Sequence, residues 1–130
     1  MKKTTSVILL FVLWNTGVAR GEDKPEPITM SEAEILIYLM PASQELRKEG
    51  FDVGWDVAGS QDPDQFQFHV FNAKRKCPEG CSVTVGHFSV NRHTAEVTDT
   101  DMNATVTNQE FSGVQTILRS AHHLGLRKSN

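Results

Sequence analysis

No apolar run in this sequence is long enough to cross a bilayer: the longest, Val7 to Trp14, falls well short of the roughly 20 residues that a spanning helix requires. Lysine and arginine form no cluster interleaved with aromatic residues, and acids outnumber bases, which argues against a phosphate backbone as partner and leaves nucleic acid out. Gly-x-Ser-x-Gly, His-Glu-x-x-His and a glycine-rich phosphate loop are all missing, so no hydrolase elbow, zincin helix or nucleotide cradle is encoded. Cysteine occurs twice, too few for a metal site of two spaced cysteine pairs, and neither stands where a lipoprotein anchor would need it. Internal repeats and low-complexity blocks are absent.

The N-terminus has the order of a secretory signal. Lys2 and Lys3 precede the apolar stretch, and the small residues Gly17, Ala19 and Gly21 allow cleavage after Ala19 or after Gly21. Taking residues 1–21 as the signal removes Lys2, Lys3 and Arg20 but no acid, so 13 basic against 16 acidic residues becomes 10 against 16, a net charge near −6. The expected location is the periplasm or the exterior, with no membrane anchor after cleavage. A partner with a basic surface would be steered toward such a chain, and the same charge also favours solubility. The remaining length suffices for one hydrophobic core.

Residues 22–29 carry Pro25 and Pro27 among charges and read as a flexible tether, with a single domain over 30–126. Ser31 and Glu34 have capping-box spacing, which places a helix start near Ser31. The stretch Ala33 to Met40 is apolar nearly all round, and Pro41 should kink or restart the helix before a polar half that ends near Gly50. The period then changes from helical to two. Phe51, Val53, Trp55 and Val57 alternate with polar residues in a first strand, and Phe66, Phe68 and Val70 do so in a second. A third, Ser82 to Asn91, changes phase at Gly86, where a β-bulge is expected; a fourth runs from Ala95 to Thr98. Thr107 and Glu110 repeat the capping spacing before a last helix with Phe111, Val114, Ile117, Leu118 and Ala121 on one face. The fold expected is α+β: an N-terminal helix packed on a four-stranded antiparallel sheet, followed by a C-terminal helix.

Cys77 and Cys81 bracket the tip of the hairpin between strands two and three. In an oxidising compartment the pair reads as a disulfide that fixes local turn geometry, with redox and zinc pairs as the alternatives. His69, His87 or His93 could approach such a zinc site; the plainer reading makes the histidines surface or cap residues, and no metal or cofactor is expected. His122 and His123 splay on a helix, so only one can face a given neighbour. Asp52 and Asp56 share a strand face about 13 Å apart, beyond the separation of paired-carboxylate glycosidases. No catalytic residue emerges. The candidate binding surface is Asp62, Asp64, Glu79, Trp55, His69 and His87, drawn from loops on a rigid sheet and from the sheet itself.

Thr29 to Glu34, and Gly86 to Val97, resemble the helix-opening segment and closing hairpin of a PepSY-type domain, a small exported domain of cystatin-like shape. The sequence departs from that hairpin pattern with Asn91 in place of an aspartate and Ala95 in place of a glycine. The resemblance spans roughly residues 29 to 99 and implies an exported, non-catalytic domain that binds or restrains a peptidase or another envelope enzyme. The leading expectation is therefore an exported binding or inhibitor module with a protein partner. Two alternatives stand beside it: an immunity factor against a secreted toxin, and a carrier whose aromatic floor of Trp55, Phe66, Phe68 and Phe88 holds a small apolar ligand beneath the first helix.

Overall fold

The computed structural model describes residues 24–74 and 83–125. The signal segment and the Cys77–Cys81 tip with Glu79 lie outside the described residues.

Helix α1, Met30–Leu39, begins two residues earlier than a cap at Ser31 implies. Thr29 is the N-cap, with its hydroxyl accepting from Glu32 N–H at 3.2 Å while the Glu32 carboxylate accepts from Thr29 N–H at 3.0 Å. Ser31 and Glu34 therefore do not form the box. The choice is physical: Ile28 before the cap and Ala33 after it are both fully buried, an apolar staple that fixes the entry of the chain. Ile28 N–H also donates to Arg92 C=O at 2.9 Å and Glu26 N–H to His122 C=O at 3.0 Å, so the segment read as a tether is seated from Glu26 onward. Pro41 restarts the helix instead of kinking it. It occupies the first turn of α2, Pro41–Lys48, where its missing N–H has no helical partner to lose, and Met40 links the two helices in extended conformation.

The sheet has five antiparallel strands in sequential order, one more than expected: β1 Val53–Ala58, β2 Gln65–Asn72, β3 Thr84–Asn91, β4 Val97–Asp99 and β5 Ala104–Thr105. β5 is two residues long, too short to register as a pattern. Phe51 precedes β1 and is exposed, and Val57 is half exposed, because β1 is an edge strand only partly covered by helix. The expected phase change in β3 is present: Val70 pairs with Gly86 but Phe71 pairs with Thr84, so Val85 is the extra residue. Val85 packs against the core with Phe88 and Val90, whereas Val83 does not join them. The β3–β4 turn ends at Ala95, whose φ of 59° is the left-handed conformation that glycine would adopt most easily.

Helix α3, Gln109–Ala121, is capped by Asn108, whose side chain accepts from Glu110 and Phe111 N–H, and not by Thr107. Asparagine is the stronger cap. The buried face is also turned from the expected one: Phe111 and Gln115 are buried, Val114 and Leu118 pack partly, and Ile117 is 68% exposed. The Gln115 amide donates to Ala95 C=O at 2.8 Å, which satisfies a carbonyl inside the core and explains a polar residue on the inner face. The helix ends with His123 at φ 54°, and Leu124 N–H donates to Arg119 C=O at 2.8 Å, a Schellman closure reached before Gly125.

Leu36 and Ile37 of α1, Met40 between the helices, Phe68, Val70, Phe88, Val90 and Val97 of the sheet, and Phe111 of α3 form one core. All three helices contribute to that one face of the sheet. No described helix is long and apolar enough to cross a membrane.

Candidate functional site

Cross-strand register sorts the sheet residues by face. Trp55 pairs with Val70, and Val57 with Phe68 and then Phe88, so these side chains share the helix-covered face. Asp56 pairs with His69 and His69 with His87, which puts that row on the opposite face. There it is joined by Gln67, Ser89, Thr98 and Thr105, and among the described residues no helix covers it.

At the centre of this open face the His69 and His87 rings stack, 4.9 Å apart and 15° from parallel. Each ring is anchored at its outer end. His69 Nε2 shares a hydrogen bond of 2.9 Å with Thr84 Oγ1, and its Nδ1 lies 4.0 Å from Asp56 Oδ2. His87 Nδ1–H donates to the Asp101 carboxylate at 3.0 Å, and His87 main-chain N–H donates to the same group at 2.9 Å. These two hydrogen bonds, the side-chain one foremost, hold the Asp101 carboxyl below its ordinary range even though its side chain is about half exposed. Beside them Phe71 lies across Gly54, so close that a Cβ on Gly54 would stand 2.5 Å from the ring. The face is thus rich in hydrogen-bonding groups and acidic at both ends of the histidine pair. Asp101 carried no periodic signal in the sequence, since it belongs to the loop between the two short strands.

The remaining candidates fall elsewhere. Asp62 and Asp64 lie in the β1–β2 turn, where Asp62 accepts from Asp64 N–H at 2.9 Å and Asp64 accepts from His93 Nε2–H at 2.8 Å. His93 is therefore tied to that turn and away from His69 and His87. Among the described residues no group of three or more histidine, cysteine or acidic side chains is arranged to hold a metal ion. Trp55 is on the helix side, its Nε1–H donating to Glu34 Oε2 at 2.9 Å and its ring meeting Tyr38 edge-on at 6.4 Å. Of the aromatic floor expected for a carrier, Phe68 and Phe88 are fully enclosed core residues and Phe66 lies under the Arg92 guanidinium. Trp55 borders a cavity of about 240 Å³, shared with Glu34, Ile35, Tyr38 and Leu39 at the edge of the sheet.

His122 has a separate role: its Nε2–H donates to Glu32 Oε2 at 2.6 Å, joining the end of α3 to the start of α1, while His123 is exposed. Both histidines lie past the last helical residue, His122 as the C-cap and His123 in the left-handed conformation, so the splay expected within a helix does not apply to them.

No family model and no curated protein matches this chain. Among solved structures it is similar to a chain from a type VI secretion system effector–immunity complex of Pseudomonas protegens, with a TM-score of 0.56 and 18% identity over 77% of this chain and 81% of the other. That likeness is one of fold.

Proposed function

We propose that this chain is an exported protein-binding module of the immunity type, which acts outside the cytoplasm by covering a basic surface of a toxin-like protein with the open face of its sheet. The observation that carries the reading is that face: five strands backed by three helices on one side and, among the described residues, left bare on the other, with Asp56 and Asp101 flanking the stacked histidines. An acidic sheet face suits recognition of a cationic partner, since complementary charge raises the association rate and selects the partner. The fold shared with a chain of an effector–immunity complex supports the same class, because either member of such a complex binds a protein. The acidic balance of the sequence favours the immunity side, and in this reading the chain performs no chemistry. The PepSY resemblance implies a binder as well; the present proposal differs in making the target a toxin and the contact surface the open sheet.

The test is capture. Residues 22–130 serve as bait against envelope and secreted fractions of the source organism, alongside Asp56→Lys and Asp101→Lys, each first checked by circular dichroism for a wild-type fold because Asp101 also accepts two hydrogen bonds from His87. The expected result is one stoichiometric partner whose capture falls with added salt and drops at least tenfold with either reversal. Expressed alone in a susceptible host, that partner should arrest growth, and co-expression of this chain should restore it. Capture insensitive to both reversals, or a harmless partner, would overturn the proposal.

A further inference from the structure

The two edges of the sheet are treated differently. β5 ends one side after two residues, too short to template another strand. β1 ends the other with six residues, no proline, no lysine and no bulge. Ala73 N–H donates to Asp52 C=O at 2.9 Å, so in the alternating antiparallel pattern the even residues of β1 bond to β2. The main-chain groups of Val53, Trp55 and Val57 therefore point away from the sheet, and among the described residues nothing bonds them. Along this same edge the apolar surface is unusually open: Val57 is 50% exposed, Ile35 49% and Tyr38 43%, around the cavity beside Trp55.

What fits such an edge is decided by register. A second copy of β1 running antiparallel must place odd residues opposite odd residues, which allows three central registers. Centring on Gly54 sets Asp52 against Asp56 of the other copy, and centring on Asp56 sets that aspartate against itself; like charges directly opposite are unfavourable. Centring on Trp55 sets Asp56 against Gly54, Asp52 against Ala58, and Val53 against Val57, so every charge meets a small uncharged residue and the apolar residues meet each other. A two-fold axis through that point, normal to the sheet, keeps both helix layers on one side and brings the two exposed α1 flanks together.

We infer that β1 is a self-association edge, and that two copies of this chain join there about Trp55 into one ten-stranded antiparallel sheet. The pairing leaves the open face and its histidines uncovered, and it requires no toxin, so its failure would be distinct from failure of the immunity reading.

Sedimentation velocity and native mass spectrometry on the purified chain provide the test. The wild type should run as a dimer that dissociates reversibly over about a hundredfold dilution. Val57→Lys places two lysines in the joint and should raise the dissociation constant on the order of a hundredfold, leaving the circular dichroism and melting temperature of the monomer unchanged. The double variant Asp52→Cys/Ala58→Cys should form an intermolecular bond on oxidation, mapped by peptide analysis to residues 52 and 58, while each single variant forms none at that position. A wild type that is monomeric at every concentration, a dimer that Val57→Lys leaves intact, or cross-linking of Asp52→Cys to itself would overturn the inference.

Discussion

Replacing Glu32 by alanine should cost far more than loss of a surface acid, because this one side chain closes two junctions. One oxygen accepts from Thr29 N–H and from the Thr29 hydroxyl, completing the cap of α1; the other accepts from His122 Nε2–H at 2.6 Å, with the two side chains only 24% and 16% exposed. The cap contributes about 1 kcal/mol and a hydrogen bond to an ionised, partly buried carboxylate about 1.5–3 kcal/mol. Glu32→Ala should therefore lose about 2–4 kcal/mol, and at about 4–8 °C per kcal/mol the midpoint should fall by roughly 10–30 °C. Combining it with His122→Ala isolates the shared bond, with an expected coupling of about 1–2 kcal/mol. The pH dependence follows from the same contacts. Burial pushes the Glu32 carboxyl up, but the hydrogen bonds from Thr29 and His122 and the attraction of His122 outweigh it, so the group titrates below its ordinary value. The unfolded chain then takes up the proton first as pH falls. The contribution is complete above the ordinary glutamate range and disappears as pH drops through the lowered folded value. Urea denaturation of the four proteins at neutral and acid pH is the assay. A loss below about 0.5 kcal/mol, the size of an ordinary surface change, zero coupling, or a penalty undiminished in acid would refute the reasoning.

Gln115→Leu keeps the size of the side chain but leaves the enclosed Ala95 carbonyl without its donor, and urea titration should show a loss of about 1–3 kcal/mol. His87→Ala removes the larger of the two hydrogen bonds on Asp101, so an NMR titration of the Asp101 carboxyl should move up toward the ordinary aspartate range while staying below it, the main-chain bond being retained. His123→Gly relieves a left-handed residue on an exposed helix end, and after the greater unfolded freedom of glycine is subtracted the melting curve should report a gain of about 0.5–1 kcal/mol.

The strands were readable because an open sheet face forces alternation: each of Phe66, Phe68 and Val70 faces the core while Gln67 and His69 face out. The restart at Pro41 was readable for an equally local reason, a ring that cannot donate. Helix starts were less so. Thr29–Glu32 and Ser31–Glu34 both satisfy the capping pattern, and what separates them is tertiary: Ile28 and Ala33 are buried together, and Glu34 is engaged by Trp55, 21 residues away. The inner face of α3 was misplaced for a similar cause, since Gln115 is drawn inward by a carbonyl that only the turn at Ala95 exposes.

The site shows the same division between local and distant information. That His69 faces away from Phe68 and Val70 is a matter of parity along one strand. Its meeting with His87 requires the register between β2 and β3, and the extra residue at Val85 leaves two parities open in the sequence of β3. The sequence offers Trp55 and the histidines as one surface, yet Asp56, and not Trp55, lies opposite His69; a shift of one residue carries a side chain to the other face. The consequence is two surfaces where one was expected, a polar face suited to a charged protein partner and an apolar edge suited to a second copy. A reversal at Asp56 probes the first through its side chain, and a lysine at Val57, the next residue along the same strand, probes the second.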